Sequence, residues 1–102
     1  MNIDRAEILY SKHFEILEIN IEKVENQLVL SWKICFENTI FRMSFYNVSR
    51  LKVSEWSIPL ELHGFEIINH SKNGWEKDST YEIRDFEDDQ LSFFCEHFSM
   101  TQ

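Results

Sequence analysis

Glycine, proline and cysteine are scarce in this sequence of 102 residues, which contains two glycines, one proline and two cysteines. So few glycines argue against the glycine-rich loops that hold nucleotide phosphates. The same scarcity leaves little material for a flexible linker or a low-complexity tail. We therefore expect a single domain over residues 1–102, a length that suits one hydrophobic core.

Long apolar runs are also missing. No stretch reaches the roughly 20 apolar residues that a membrane-spanning helix needs. The N-terminal stretch MNIDRAEILYSKH mixes charged and apolar residues, unlike a secretory signal. A cytoplasmic location is therefore expected. In that compartment Cys35 and Cys95 are expected to be reduced core residues, and a disulfide between two strands is the alternative.

Positive charge is scarce in the second half of the chain. Residues 1–51 carry six Lys or Arg and seven Asp or Glu, whereas residues 52–102 carry four and eleven. The net charge of the whole chain is −8. Direct binding to nucleic acid or to an anionic membrane needs the opposite sign. The composition thus argues against both partners and leaves open a basic protein or simple solubility.

Alternation of apolar and polar residues is the strongest pattern that the sequence contains. Five large apolar residues recur at every second position, which predicts a strand with one buried face. They are Leu28, Leu30, Trp32, Ile34 and Phe36. Similar alternation occupies residues 17–21 and 41–45, and polar turns at 25–27 and 38–39 separate the three runs. Because short connections favour hairpins, three consecutive antiparallel strands are predicted.

The remaining residues predict further short strands. One begins at Pro59 and is interrupted at Gly64, where a β-bulge is expected. A last strand is expected over residues 91–100, and a short helix is a candidate for residues 4–12. The fold predicted is mainly β, an antiparallel β-sandwich or strongly bent sheet of six to eight strands, with that helix as an optional addition.

Residue patterns that would support catalysis are not recognisable. None of the four histidines stands at a metal-binding spacing from another histidine or a cysteine within one element. Cys95 and His97 are expected on one face of the last strand, but the aromatic run around Cys95 predicts a buried thiol. The acidic run at 85–89 lacks the ligand spacing of a calcium loop. We therefore predict no catalytic residue, no cofactor and no metal, and a protein that is not an enzyme.

Acidic residues near a loop tryptophan carry the prediction of a binding site. Trp75 follows an Asn-Gly turn and has acids beside it. An aromatic residue among acids on a loop is typical of an interface anchor for a basic protein, and packing of Trp75 on the core is the alternative. The predicted partner-binding residues are Trp75, Glu76, Asp78, Glu82, Asp85, Glu87, Asp88 and Asp89.

From Ile40 onward the order of segments resembles a known family. The segments are IFRMSFYNVSRLKVS, PLELHGFEI, GWEKDSTYEI and LSFFCEHF. In this order they resemble small β-rich immunity proteins of bacterial polymorphic toxins, including the contact-dependent inhibition type. The resemblance implies an inhibitor that occludes a toxin in the cytoplasm without catalytic residues of its own. Such toxins are often basic nucleases, which an acidic inhibitor suits electrostatically.

A second hypothesis belongs to a different class of function. The nine phenylalanines could line the concave face of a β-sandwich that binds a small ligand. This hypothesis requires several phenylalanines to face a cavity, and it does not need the uneven distribution of charge.

Overall fold

Nine antiparallel strands make up most of the chain that the computed structural model describes, namely residues 9–10, 12–54, 59–71, 80–87 and 89–101. The strands are β1 (Phe14–Val24), β2 (Gln27–Phe36), β3 (Thr39–Tyr46), β4 (Ser49–Val53), β5 (Leu60–Leu62), β6 (Phe65–Asn69), β7 (Tyr81–Asp85), β8 (Leu91–Cys95) and β9 (His97–Thr101). One sheet has the order β5-β1-β2-β3-β9 and the other the order β4-β8-β7-β6. The predicted antiparallel β-sandwich is confirmed, with nine strands instead of six to eight. No helix in the described ranges is long and apolar enough to span a membrane.

The predicted N-terminal helix lies mostly outside the described residues, which omit residues 4–8 and 11. Leu9 and Tyr10 lie in a turn in which the backbone nitrogen of Lys12 donates a hydrogen bond to the carbonyl oxygen of Leu9 at 3.1 Å. Leu9 is fully buried. The hydroxyl of Tyr10 donates to the carbonyl oxygen of Ile67 in β6 at 3.2 Å. This turn is therefore held against the second sheet.

The first three strands form two tight hairpins, as their alternation predicts. The loop residues Glu25 and Asn26 have φ of 50° and 67°, and Glu37 and Asn38 have φ of 50° and 64°. Positive φ at both central residues is a property of the type I′ turn, whose twist matches that of the paired strands. Asparagine accepts this conformation better than most residues. Two hairpins can therefore form in a chain with very little glycine.

The apolar face of β2 packs into the core as predicted. Leu30, Trp32 and Ile34 are buried, and Leu28 and Phe36 pack against the core at either end. The indole ring of Trp32 lies edge-on to three phenylalanine rings, at centroid distances of 4.8, 6.1 and 6.0 Å. These rings belong to Phe45, Phe65 and Phe93. Aromatic residues from both sheets thus pack against Trp32.

The strand β1 departs from simple alternation at its middle. Its register against β2 shifts between Ile16 and Glu18, which places a β-bulge at Leu17. Before the bulge Ile16 is fully buried, whereas after it Ile19 is half-buried and Ile21 is 37 % exposed. The far end of the β1–β2 hairpin therefore extends beyond the core.

The two sheets share one bent antiparallel ribbon. β3 pairs with β9 in the first sheet and β4 pairs with β8 in the second. At the bend the backbone nitrogen of Glu96 donates to the carbonyl oxygen of Tyr46 at 2.9 Å, and Asn47 Nδ2 donates to Glu96 Oε1 at 3.1 Å. The prediction of one final strand over residues 91–100 is therefore wrong, because the chain changes sheet at Glu96.

Gly64 marks a second change of sheet. The prediction of a β-bulge within one strand at Gly64 is therefore wrong. Gly64 lies between β5 of the first sheet and β6 of the second. A Cβ atom on Gly64 would lie 2.5 Å from the backbone nitrogen of Glu87 and 2.7 Å from its Cγ. The turn after β7 thus packs so closely on this corner that a larger residue does not fit without movement.

Candidate functional site

Half of the predicted partner-binding residues lie outside the described part of the chain. These are Trp75, Glu76, Asp78 and Asp88. The other four are Glu82, Asp85, Glu87 and Asp89, and the structure places them in three different environments. These four residues therefore differ in how far their carboxylates are exposed to solvent.

Asp85 is the clearest departure from the prediction. It is the last residue of β7 and is fully buried, although an exposed carboxylate was expected there. Asp85 Oδ1 accepts a hydrogen bond from the backbone nitrogen of Gly64 at 2.8 Å, and Oδ2 accepts a longer one from that of Gln90 at 3.4 Å. These donors explain the burial, because a buried carboxylate needs hydrogen-bond partners. Asp85 therefore connects the corner at Gly64 to the turn that follows β7.

Glu82 lies on the outer face of the second sheet among hydrogen-bonded polar side chains. Glu82 Oε1 is 2.9 Å from His70 Nε2, and the two side chains are only 20 % and 13 % exposed. Beside them Arg84 Nε donates to Glu66 Oε1 at 2.7 Å. This hydrogen bond raises the pKa of Arg84, burial lowers it, and the charges of Glu66, Glu82 and Asp89 raise it further. The carboxylate of Glu82 is therefore already engaged within the protein.

Glu87 and Asp89 are exposed, and they follow an exposed aromatic residue in the chain. Phe86 is 46 % exposed, and together these three residues define the acidic turn. The backbone nitrogen of Phe86 donates to the carbonyl oxygen of Gly64 at 3.0 Å, and the backbone nitrogen of Asp89 donates to the carbonyl oxygen of Asp85 at 3.0 Å. The turn thus exposes an aromatic ring and two carboxylates on a hydrogen-bonded backbone.

The sequence predicted an exposed aromatic residue near acids at Trp75, but it did not predict the one at Phe86. The segment from Asp85 to Asp89 contains four acids, which is typical of a solvated turn. The one available signal was the single aromatic residue within that run. Its exposure could not be inferred, because it depends on the burial of Asp85 one residue earlier.

A group of possible metal ligands lies at the edge of the first sheet. We call His13, Glu61 and His63 the edge cluster. Both imidazole Nε2 atoms lie 3.7 Å from Glu61 Oε2, and the two rings have centroids 4.7 Å apart. Each residue offers a ligand atom within 4.8 Å of the others, and all three residues are exposed. Imidazole nitrogen and carboxylate oxygen are common ligands of Zn²⁺ in proteins.

The edge cluster could not be recognised from ligand spacing within one element, because its residues come from two elements that are distant in the sequence. His13 precedes β1 and His63 follows β5, fifty residues later in the chain. The signal in the sequence is the mirrored order His-Phe-Glu at 13–15 and Glu-Leu-His at 61–63. It becomes informative only when the two segments are known to pair. The cluster also adjoins the acidic turn, since His63 precedes Gly64 and Glu87 packs against that glycine.

The cysteines are free, and the Cys95 thiol is protected by burial. Cys95 is fully buried, whereas Cys35 is half-buried. Burial raises the pKa of Cys95 to about 12, so the thiol keeps its proton at neutral pH and is a poor nucleophile. The expected shared face of Cys95 and His97 is wrong, because the corner at Glu96 leaves His97 exposed and stacked on Tyr46 at 4.9 Å.

Two concavities lie on the outer faces of the sheets. One of about 540 Å³ is bordered by Asn20, Ser31, Lys33, Arg42 and Ser44, among others. The other, of about 530 Å³, is bordered by Leu51, Lys52, Val53, Ser54, Asp89 and Ser92. No phenylalanine lines either one; six phenylalanines are instead buried in the core, at positions 14, 41, 45, 65, 93 and 98. The hypothesis of an aromatic-lined ligand site gains no support from these two surfaces.

Comparisons of the chain with protein-family models, with curated proteins and with solved structures found no match.

Proposed function

We propose that this protein binds a basic protein partner through the acidic turn, and that it acts as an immunity-type inhibitor that occludes a toxin in the cytoplasm. The observation that carries the proposal is Phe86, which is 46 % exposed and is followed in the same turn by the exposed acids Glu87 and Asp89. The toxin class rests on the resemblance of the segments from Ile40 onward. The absence of a recognisable catalytic pattern in the sequence agrees with inhibition by occlusion.

The acidic turn has the physical properties of an interface anchor. Binding energy in protein interfaces is concentrated in a few residues, often aromatic, that are surrounded by polar groups. The backbone around Phe86 is already fixed by hydrogen bonds to Gly64 and within the turn. A fixed turn loses little conformational entropy on binding, which favours affinity.

The two carboxylates of the acidic turn are expected to contribute unequally. Asp89 borders the same concavity as Lys52, and its charge also acts on Arg84. Glu87 instead packs against Gly64, beside the edge cluster that contains Glu61. Nearby cations weaken the field of Asp89, so Glu87 is expected to attract a basic partner more strongly.

Affinity capture from an extract of the native host tests the proposal. The bait is the full chain, compared with Phe86→Ser and with the matched control Ile40→Ser, because Ile40 is 40 % exposed on the first sheet. We expect a basic protein that is recovered by the native chain and by Ile40→Ser, and is lost with Phe86→Ser. Equal recovery by all three baits, measured by quantitative mass spectrometry, would contradict the role of the acidic turn.

A further inference from the structure

Two tripeptides of mirrored sequence, residues 13–15 and 61–63, lie side by side at the edge of the first sheet. In the antiparallel pairing of β1 and β5, Phe14 lies opposite Leu62 and Glu15 lies opposite Glu61. Phe14 and Leu62 are buried in the core. Because side chains alternate between the two faces of a strand, the polar residues on either side of them project outward. His13 and His63 thus come to lie on the same outer surface as Glu61.

The geometry of the edge cluster is close to that of a metal site. Bonds of about 2.0–2.1 Å at tetrahedral angles hold the ligand atoms of Zn²⁺ about 3.3 Å apart. The two Nε2 atoms lie 3.7 Å from the same oxygen of Glu61. The side chains of His13, Glu61 and His63 are 53 %, 56 % and 48 % exposed, so small rotations can bring them closer.

The pairing of two glutamates is a reason for a cation to stabilise this edge of the sheet. Glu15 lies directly opposite Glu61, and like charges at opposed positions destabilise a pair of strands. A divalent cation beside Glu61 would remove this repulsion. It would also keep both imidazoles neutral, since a metal ligates the deprotonated nitrogen.

We propose that His13, Glu61 and His63 bind one divalent transition-metal ion, with Zn²⁺ as the ion that their geometry fits. Two imidazoles and one carboxylate leave a coordination position open, as three-ligand zinc sites do. The ion would connect the turn before β1 to the end of β5, an edge strand of three residues. This site requires no protein partner. Because the edge cluster adjoins Glu87, a bound ion would also weaken the negative field of that carboxylate, so partner binding is measured on the metal-free chain.

Titration of the metal-free full chain, without an affinity tag, tests the site. Zn²⁺ is added in a calorimeter, and Co²⁺ is added in parallel to record the visible absorption of a tetrahedral site. We expect one ion per chain, and a loss of affinity of at least about tenfold in His63→Ala and in Glu61→Gln. The matched control is His97→Ala, since His97 is exposed but lies on the other edge strand of the first sheet. It should bind as the native chain does.

Two further measurements separate this site from chance binding. Zn²⁺ should raise the thermal midpoint of the native chain but not that of His63→Ala, because a ligand that binds only the folded state stabilises it. Affinity should also fall as the solution is made acidic, because metal ligands must be deprotonated and protons compete with the ion. Binding weaker than about 1 mM, or stoichiometric binding that persists unchanged in His63→Ala, would overturn the proposal.

Discussion

The carboxylate of Asp85 accepts a hydrogen bond from the backbone nitrogen of Gly64 at 2.8 Å, and both residues are buried. Asp85 ends β7 in the second sheet, whereas Gly64 is the corner at which the chain leaves the first sheet. A second bond, from the nitrogen of Phe86 to the carbonyl oxygen of Gly64 at 3.0 Å, closes the same contact. Buried polar contacts therefore position the turn that exposes Phe86.

Replacement of Asp85 with alanine should destabilise the protein. It removes the acceptor of the Gly64 N–H group, and an unsatisfied buried donor costs about 1–3 kcal/mol. Urea unfolding measures this loss. The control is Asp89→Ala, because Asp89 is exposed and surface substitutions usually stay within about 0.5 kcal/mol. Equal stability of the two variants would contradict the structural role of Asp85.

Replacement of Gly64 with alanine should also be unfavourable, for a steric reason. The new Cβ atom would lie 2.5 Å from the backbone nitrogen of Glu87, so the corner or the turn has to move. Overpacking of this kind typically costs about 1–3 kcal/mol. The free energy of unfolding of Gly64→Ala measures it, and a neutral substitution would show that the turn does not pack closely on the corner.

Trp32→Phe should lower the free energy of unfolding less than Trp32→Ala does. Trp32→Ala should cost about 3–5 kcal/mol, because it leaves a cavity among three phenylalanine rings. Trp32→Phe should cost less, since the indole Nε1 is buried without a hydrogen-bond partner among the described residues. Denaturant unfolding compares the two. A loss below about 1 kcal/mol in Trp32→Ala would contradict its place in the core.

The Cys95 thiol should resist alkylation in the folded protein. Its pKa is raised to about 12 by burial, so the thiolate forms first in the unfolded state. The protonated Cys95 thiol therefore stabilises the folded state fully at pH values below the ordinary thiol pKa. This contribution to the free energy of unfolding declines as the pH rises towards 12. In a Cys35→Ser variant, iodoacetamide labelling at pH 8 should be limited by unfolding, and rapid labelling of the folded chain would contradict burial.

The sequence predicted the features that depend on neighbouring residues. The core face around Trp32 and the turn at Glu25 and Asn26 follow from alternation and from local backbone preference. The corners at Gly64 and Glu96 were not predicted, because apolar alternation continues on both sides of a change of sheet. A local pattern cannot show which sheet a strand joins.

The candidate sites depend on contacts between distant residues, which explains why most of their detail was missed. Asp85 lies in a run of acids, and only its contact with Gly64, 21 residues away, shows that it is buried. The edge cluster depends on the pairing of β1 with β5. In contrast, the acidic character of the turn was predicted directly, since charge is read from residue type alone.

Association kinetics with the purified basic protein recovered by affinity capture test the central claim most directly. The on-rate is measured at low and high salt for the native chain, Glu87→Gln, Asp89→Asn and the control Glu22→Gln, an exposed acid on the β1–β2 hairpin. We expect Glu87→Gln to slow association by up to about tenfold and to flatten its salt dependence, with a smaller effect for Asp89→Asn and none for Glu22→Gln. An unchanged on-rate in Glu87→Gln, or an equal decrease in Glu22→Gln, would contradict binding through the acidic turn.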